Sequence, residues 1–140
     1  RYCEEHLRIL SAYYGLLRPL DFIQPYRLDP LDKAGALTPL NLWKPILRQA
    51  LDGGEILILA SQEYARMVDV SDTVTVQFVK NGRKSPSMEA KKLRGRMARQ
   101  IVDRRIIKRA DVRSLDVEGY RYQPELSTAE VWVFEEGEQK

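Results

Sequence analysis

A chain of 140 residues with 44% hydrophobic side chains carries enough apolar surface for a packed core, which excludes a wholly disordered chain. One cysteine excludes an internal disulfide framework, and one histidine leaves almost nothing for a zinc or iron site of soft ligands. The net charge is only +3, yet residues 80–113 hold thirteen of the 23 basic residues and three acidic ones, a local charge of +10 against −7 elsewhere. A segregated basic segment of this kind attracts polyanions.

In chain order, Leu7, Leu10, Tyr14 and Leu17 recur at three- and four-residue spacing, which predicts a first helix ending near Gly15 or Arg18-Pro19. Pro19, Pro25, Pro30, Gly35 and Pro39 mark residues 19–39 as a connector. Thr38-Pro39 reads as an N-cap and first helical position for a helix to Leu51, kinked or started late by Pro45 and stopped by Asp52-Gly53-Gly54. Glu55–Ala60 reads as a buried strand, and Ser61 as the cap of a short helix through Val68. Thr73–Val79 alternates and is β-branched, Asn81-Gly82 is a tight-turn signal, and Pro86 weakens the returning strand. Helical spacing resumes from about Ala90 to Arg105, with Leu93, Met97 and Ile101 as its apolar stripe and the cations on its other faces. A short helix near Ala110–Leu115 and strands at Glu118–Tyr122 and Glu130–Glu135 follow, then a frayed acidic tail over 135–140. This order predicts a mixed α+β domain spanning 1–140. No apolar run approaches the roughly 18–20 residues of a membrane span, the charged opening shows no signal-peptide core, and the lone Cys3 fits a reducing compartment.

Two stretches are familiar. His6-Leu7-Arg8-Ile9-Leu10-Ser11-Ala12-Tyr13-Tyr14-Gly15-Leu16-Leu17-Arg18-Pro19-Leu20-Asp21, continued by Gln24-Pro25-Tyr26-Arg27-Leu28, closely resembles a signature of the YaaA family of bacterial peroxide-stress proteins. Ala90-Lys91-Lys92-Leu93-Arg94-Gly95-Arg96-Met97-Ala98-Arg99 is similar to that family's "AKKARG-M-R" segment, with Leu93 in place of the usual alanine. Weaker echoes lie in Leu57–Tyr64 and Glu118-Gly119-Tyr120. The resemblance runs from residue 6 to about 122 and covers the C-terminal part of a usual family member. The family's N-terminal "SPAKT" segment has no counterpart, and Asp29-Pro30 stands where the family has "EMG". The resemblance implies a mixed α/β fold with a small mixed sheet, a basic cleft and a helix-hairpin-helix-like element. It also implies a cytoplasmic protein that limits free iron and oxidative DNA damage under peroxide, binds double-stranded or branched DNA, and carries over no established catalytic residue.

The residues themselves allow several sites. Lys91, Lys92, Arg94, Arg96 and Arg99 can neutralise phosphates, although Arg94, Arg96 and Arg99 cannot share one narrow stripe. The alternative is a solvated helix whose cations pair with nearby acids. Gly95 either permits close backbone approach or marks the true start of the helix. Leu16-Leu17-Arg18-Pro19 has the form of a helix-hairpin-helix turn or of an ordinary αα-corner. Arg18 and Arg27, supported by Asp21 and Tyr26, form either a phosphate-binding loop or a buried structural ion pair. A rival function is an enzyme acting on a nucleotide or modified base through Arg18, Asp21, Tyr26, Arg27 and Lys91. Iron sequestration is a third, disfavoured by the ligand inventory. His6 reads as packing or capping, Cys3 as unreactive beside Glu4 and Glu5, and Trp43 and Trp132 as core or interface anchors. No cofactor or metal is expected.

Overall fold

The computed structural model describes residues 1–24, 28–32 and 37–137. The chain divides into two compact units, one of residues 1–54 and 60–71, the other of residues 55–59 and 72–140. Helices and a mixed sheet give an α+β fold.

The first unit opens with α1 (Tyr2–His6) and a hairpin of β1 (Ile9–Ser11) and β2 (Gly15–Leu17). The single helix expected through Leu17 is therefore not formed. The same residues satisfy both a helical and a strand period, and the turn chemistry decides between them. Ser11 Oγ accepts the Tyr14 amide at 3.0 Å, and Gly15 takes a left-handed φ of +81°. A Cβ on Gly15 would sit 2.5 Å from the Trp43 ring, so glycine is required there on both counts. Trp43 also donates its indole N–H to the Ala12 carbonyl at 2.8 Å, pinning the hairpin to α2 (Pro39–Leu51). Thr38 caps α2 as expected: its hydroxyl accepts the Asn41 amide at 3.2 Å, with Pro39 at the first helical position. The helix runs through Pro45 and ends at Asp52. A four-residue helix, α3 (Gln62–Ala65), completes this unit, shorter than the expected run to Val68.

The second unit is a six-stranded sheet. Its path is β3 (Ile56–Ile58), β4 (Thr73–Lys80), β8 (Val131–Glu136), β7 (Tyr120–Tyr122) and β6 (Asp116–Val117), with β5 (Arg83–Lys84) paired to the end of β4. β3, β4 and β8 run parallel, β7 pairs antiparallel with β8, and β6 pairs antiparallel with β7. The Asn81-Gly82 turn has both residues at positive φ, the geometry that matches strand twist. Glu118-Gly119 makes a second such turn, so the strand expected over Glu118–Tyr122 begins only at Tyr120 and pairs back on β6. Glu135 and Glu136 belong to β8 rather than to a frayed tail, and residues 138–140 lie outside the described residues.

The long helix α4 (Ser87–Arg104) buries Leu93 and Met97 against the sheet, in a cluster with Val74, Val76, Phe78, Val117, Tyr120 and Phe134. Its first turn is tied down by a polar contact. The buried Tyr120 hydroxyl donates to Glu89 Oε1 at 3.0 Å and lies 3.4 Å from Ser85 Oγ, and burial raises the phenol's pKa. Arg109, at the start of a 3₁₀ turn (Arg109–Ser114), joins the strand entrances: its guanidinium donates to the carbonyls of Ile56 and Asp72 at 2.8 and 2.7 Å and to Asp72 Oδ1. Arg109 and Arg113 both stack on the buried Trp132, at 6.0 and 5.5 Å from its ring centre.

The turn after β6 carries a measurable pH signature. Asp116 accepts the Gly119 amide at 2.7 Å and the Arg121 guanidinium at 3.0 Å, which together hold its carboxyl below the usual range. A carboxylate with a depressed folded pKa contributes stability above its unfolded value of about 3.9 and loses it as pH falls through the folded value. Asp116→Ala is therefore expected to lower stability at pH 7, with the gap to the native chain closing as pH falls below about 4. Urea denaturation at pH 7 and pH 3 reads this directly.

Candidate nucleic-acid interface

α4 sorts its cations by helical geometry. Leu93 and Met97 face the sheet, while Lys92, Arg96 and Arg99, four and three residues apart, share the opposite exposed face with Lys91 beside them. Arg94 departs from this stripe: it is half-buried toward the packed side, and burial lowers its pKa. Along this face lies an open hollow of about 700 Å³ lined by Gly95, Ala98 and Val102 together with Lys92, Arg96, Arg99 and Asp103.

Gly95 is mid-helix, eight residues inside α4, so it does not mark the helix start. A Cβ there would meet nothing within 4 Å. No internal contact demands a glycine that costs the helix about 1 kcal/mol relative to alanine, and the bare backbone faces the hollow.

The thirteen cations of 80–113 do not act as one set. Lys80 pairs with Glu136 at 3.2 Å, Arg109 is committed to Asp72, Arg99 pairs with Asp103 along α4 at 3.3 Å, and Arg96 Nε lies 3.0 Å from Glu118 Oε1. Arg113 is stacked on Tyr122 and Trp132. Exposed pairs such as Arg96–Glu118 and Arg99–Asp103 are worth about 0–1 kcal/mol, weak enough to be exchanged for a phosphate. Glu118→Gln removes the competing carboxylate. It is expected to leave stability within about 0.5 kcal/mol of the native chain and to raise affinity for a polyanion a few-fold, read by fluorescence anisotropy with labelled duplex.

The second set of expected residues sits in the other unit. Arg18 and Asp21 are exposed, and the Asp21 carboxylate accepts the Arg18 backbone amide at 2.7 Å, closing a turn instead of orienting the guanidinium. A buried Arg18–Asp21 ion pair is thus not what fixes this loop. Tyr26 and Arg27 lie outside the described residues. No helix occurs among the described residues between Gly15 and Gln24, so Leu16-Leu17-Arg18-Pro19 does not form a helix-hairpin-helix turn; β2 occupies its first half. The described residues hold no group of three or more His, Cys, Asp or Glu able to bind a metal ion, and no helix among them is long and apolar enough to cross a membrane. Gly95 is legible in the sequence as a point of close backbone approach, whereas spacing gives no sign that Glu118 belongs to the site. Glu118 reaches α4 only through the β6–β7 turn, whose Glu-Gly sequence was the one available signal.

Fold and surface thus define an α+β protein with an open, cation-rimmed helix face. The chain belongs to the family described as peroxide stress protein YaaA, whose model matches residues 1–126. It is similar to the UPF0246 protein of Caulobacter vibrioides (41% identical over 150 residues, 95% of this chain and 59% of the relative) and to that of Tolumonas auensis (45% over 148 residues, 94% and 57%). The UPF0246 protein of Hahella chejuensis is 38% identical over 148 residues, 94% of this chain and 58% of the relative. The chain therefore spans less than three fifths of the length of these relatives.

Proposed function

We propose that this peroxide-stress family member binds DNA, double-stranded or branched, through the exposed face of α4, and that this contact serves to limit iron-dependent DNA damage in the cytoplasm. The observation that carries the reading is the co-facial set Lys92, Arg96 and Arg99, with Lys91 beside it, around the side-chain-free backbone of Gly95. Cations along a helix release counterions from phosphates, and a glycine between them lets a sugar–phosphate strand approach the backbone. The hollow is open along the helix, which suits an extended polymer better than a small substrate enclosed for chemistry.

Gly95→Ala separates this reading from a merely solvated face. The substitution is expected to stabilise α4 by about 0.5–1 kcal/mol while weakening duplex binding several-fold, measured by denaturation and by anisotropy at rising salt. Higher stability with unchanged affinity would remove close backbone approach from the account. Binding of duplex, junction and single-stranded probes that shows no fall with salt would remove DNA binding through these cations altogether.

A further inference from the structure

We propose that Tyr120 is a positioning residue for the α4 surface: its buried hydroxyl holds the Glu89 carboxylate away from Lys92 and so keeps that lysine open to a polyanion. What Lys92 then binds rests on the nucleic-acid reading; the clasp itself lies wholly within the second unit.

Glu89, Lys92, Arg96, Arg99 and Asp103 follow one another at three- and four-residue steps along α4. Side chains at those spacings are neighbours on a helix surface, so the stripe of three cations has an acid at each end. An acid and a cation placed one turn apart ordinarily pair. At the far end they do: Asp103 takes Arg99 at 3.3 Å. In the middle, Glu118 takes Arg96 at 3.0 Å. Lys92 is the exception, for among the described residues it pairs with no carboxylate.

Glu89 explains the exception. It is half-buried, and its Oε1 accepts the Tyr120 hydroxyl at 3.0 Å. Tyr120 comes from β7 and is 2% exposed, with its ring edge-on to that of Phe78 at 5.6 Å, so the position of the donor is fixed by the core. Ser85 Oγ lies 3.4 Å from the same hydroxyl. Lys80 also lies within electrostatic reach of Glu89, but it is taken by Glu136 at 3.2 Å from the neighbouring strand β8. A hydrogen bond from a fixed, buried donor to a carboxylate is stronger than an exposed ion pair between helix neighbours, so the phenol keeps Glu89. Tyr120→Phe leaves the ring against Phe78 and removes only the donor. Glu89 is then released to turn along the helix to Lys92.

The test labels the amines of the chain alone with an acylating reagent and reads each lysine by fragmentation mass spectrometry. Lys91 is the internal reference, because a side chain two residues from Glu89 does not face it. Tyr120→Phe is expected to slow labelling of Lys92 relative to Lys91 about twofold and to weaken duplex affinity about two- to threefold at low salt. Adding Glu89→Gln should restore both. That second substitution should also gain more affinity in the Tyr120→Phe background than in the native chain, whereas a merely structural tyrosine gives additive effects. An unmoved labelling ratio, slowed labelling at Lys80 in place of Lys92, or additive effects on affinity overturns the proposal. A native chain that binds no duplex overturns the nucleic-acid reading alone, and the labelling ratio, taken without DNA, still decides for or against the clasp.

Discussion

Reversing Lys92, Arg96 and Arg99 together to glutamate is expected to weaken duplex DNA binding on the order of a hundredfold at low salt and to flatten the salt dependence by roughly two to three units of slope, about one for each phosphate left without its cation. These three side chains are exposed, so the fold should survive the change. A matched control reverses Arg83, Lys84 and Lys108, which are equally exposed and alter net charge by the same amount. If the basic segment acts only through its total charge, both variants lose affinity alike. If the stripe on α4 is the interface, the control loses a few-fold at most. Anisotropy titrations at several salt concentrations distinguish the two.

The second large effect concerns the scaffold beneath that helix. Phe134 is fully buried on β8, between β4 and β7, with its ring 6.0 Å from that of Phe78 and 5.9 Å from that of Tyr122. Phe134→Ala removes the centre of the cluster that α4 packs on, and is expected to cost about 3–5 kcal/mol. Against a typical domain stability of about 5–15 kcal/mol, that is a large share. Urea denaturation should show a midpoint shift of that size at unchanged slope. A cost below about 1 kcal/mol would mean that the cluster is not the seat of stability described here.

Much of the second unit was readable from residues alone because its signals are local. β-branched alternation marks β4, Asn81-Gly82 its turn, and Leu93, Met97 and Ile101 the buried side of α4. Thr38-Pro39 likewise announced α2. The opening departs from the expected helix because Leu7–Leu17 suits a helix and a hairpin equally; the turn chemistry of Ser11 and Gly15 decides, and the Trp43 ring, remote in sequence, fills the space a side chain at position 15 would need. The helix-hairpin-helix expectation fell with that helix. For the site, composition revealed the concentration of cations, while the structure of α4 shows that Lys92, Arg96 and Arg99 share a face from which Arg94 departs. Which cations are spoken for was not readable, since Glu136, Asp72 and Glu118 reach theirs only through strand pairing and turns. Arg109 is the sharpest case: a basic residue in a basic run, it is spent on backbone carbonyls and Asp72 and serves the sheet.

The most direct measurement is a residue-resolved NMR titration of the labelled chain with a short duplex. The account predicts that amide and side-chain shifts of Lys91, Lys92, Gly95, Arg96 and Arg99 move together and saturate at one stoichiometry, with Glu118 responding as its arginine is taken by phosphate. Shifts confined to the Arg83-Lys84 hairpin or to the hairpin of β1 and β2, with α4 silent, would contradict it.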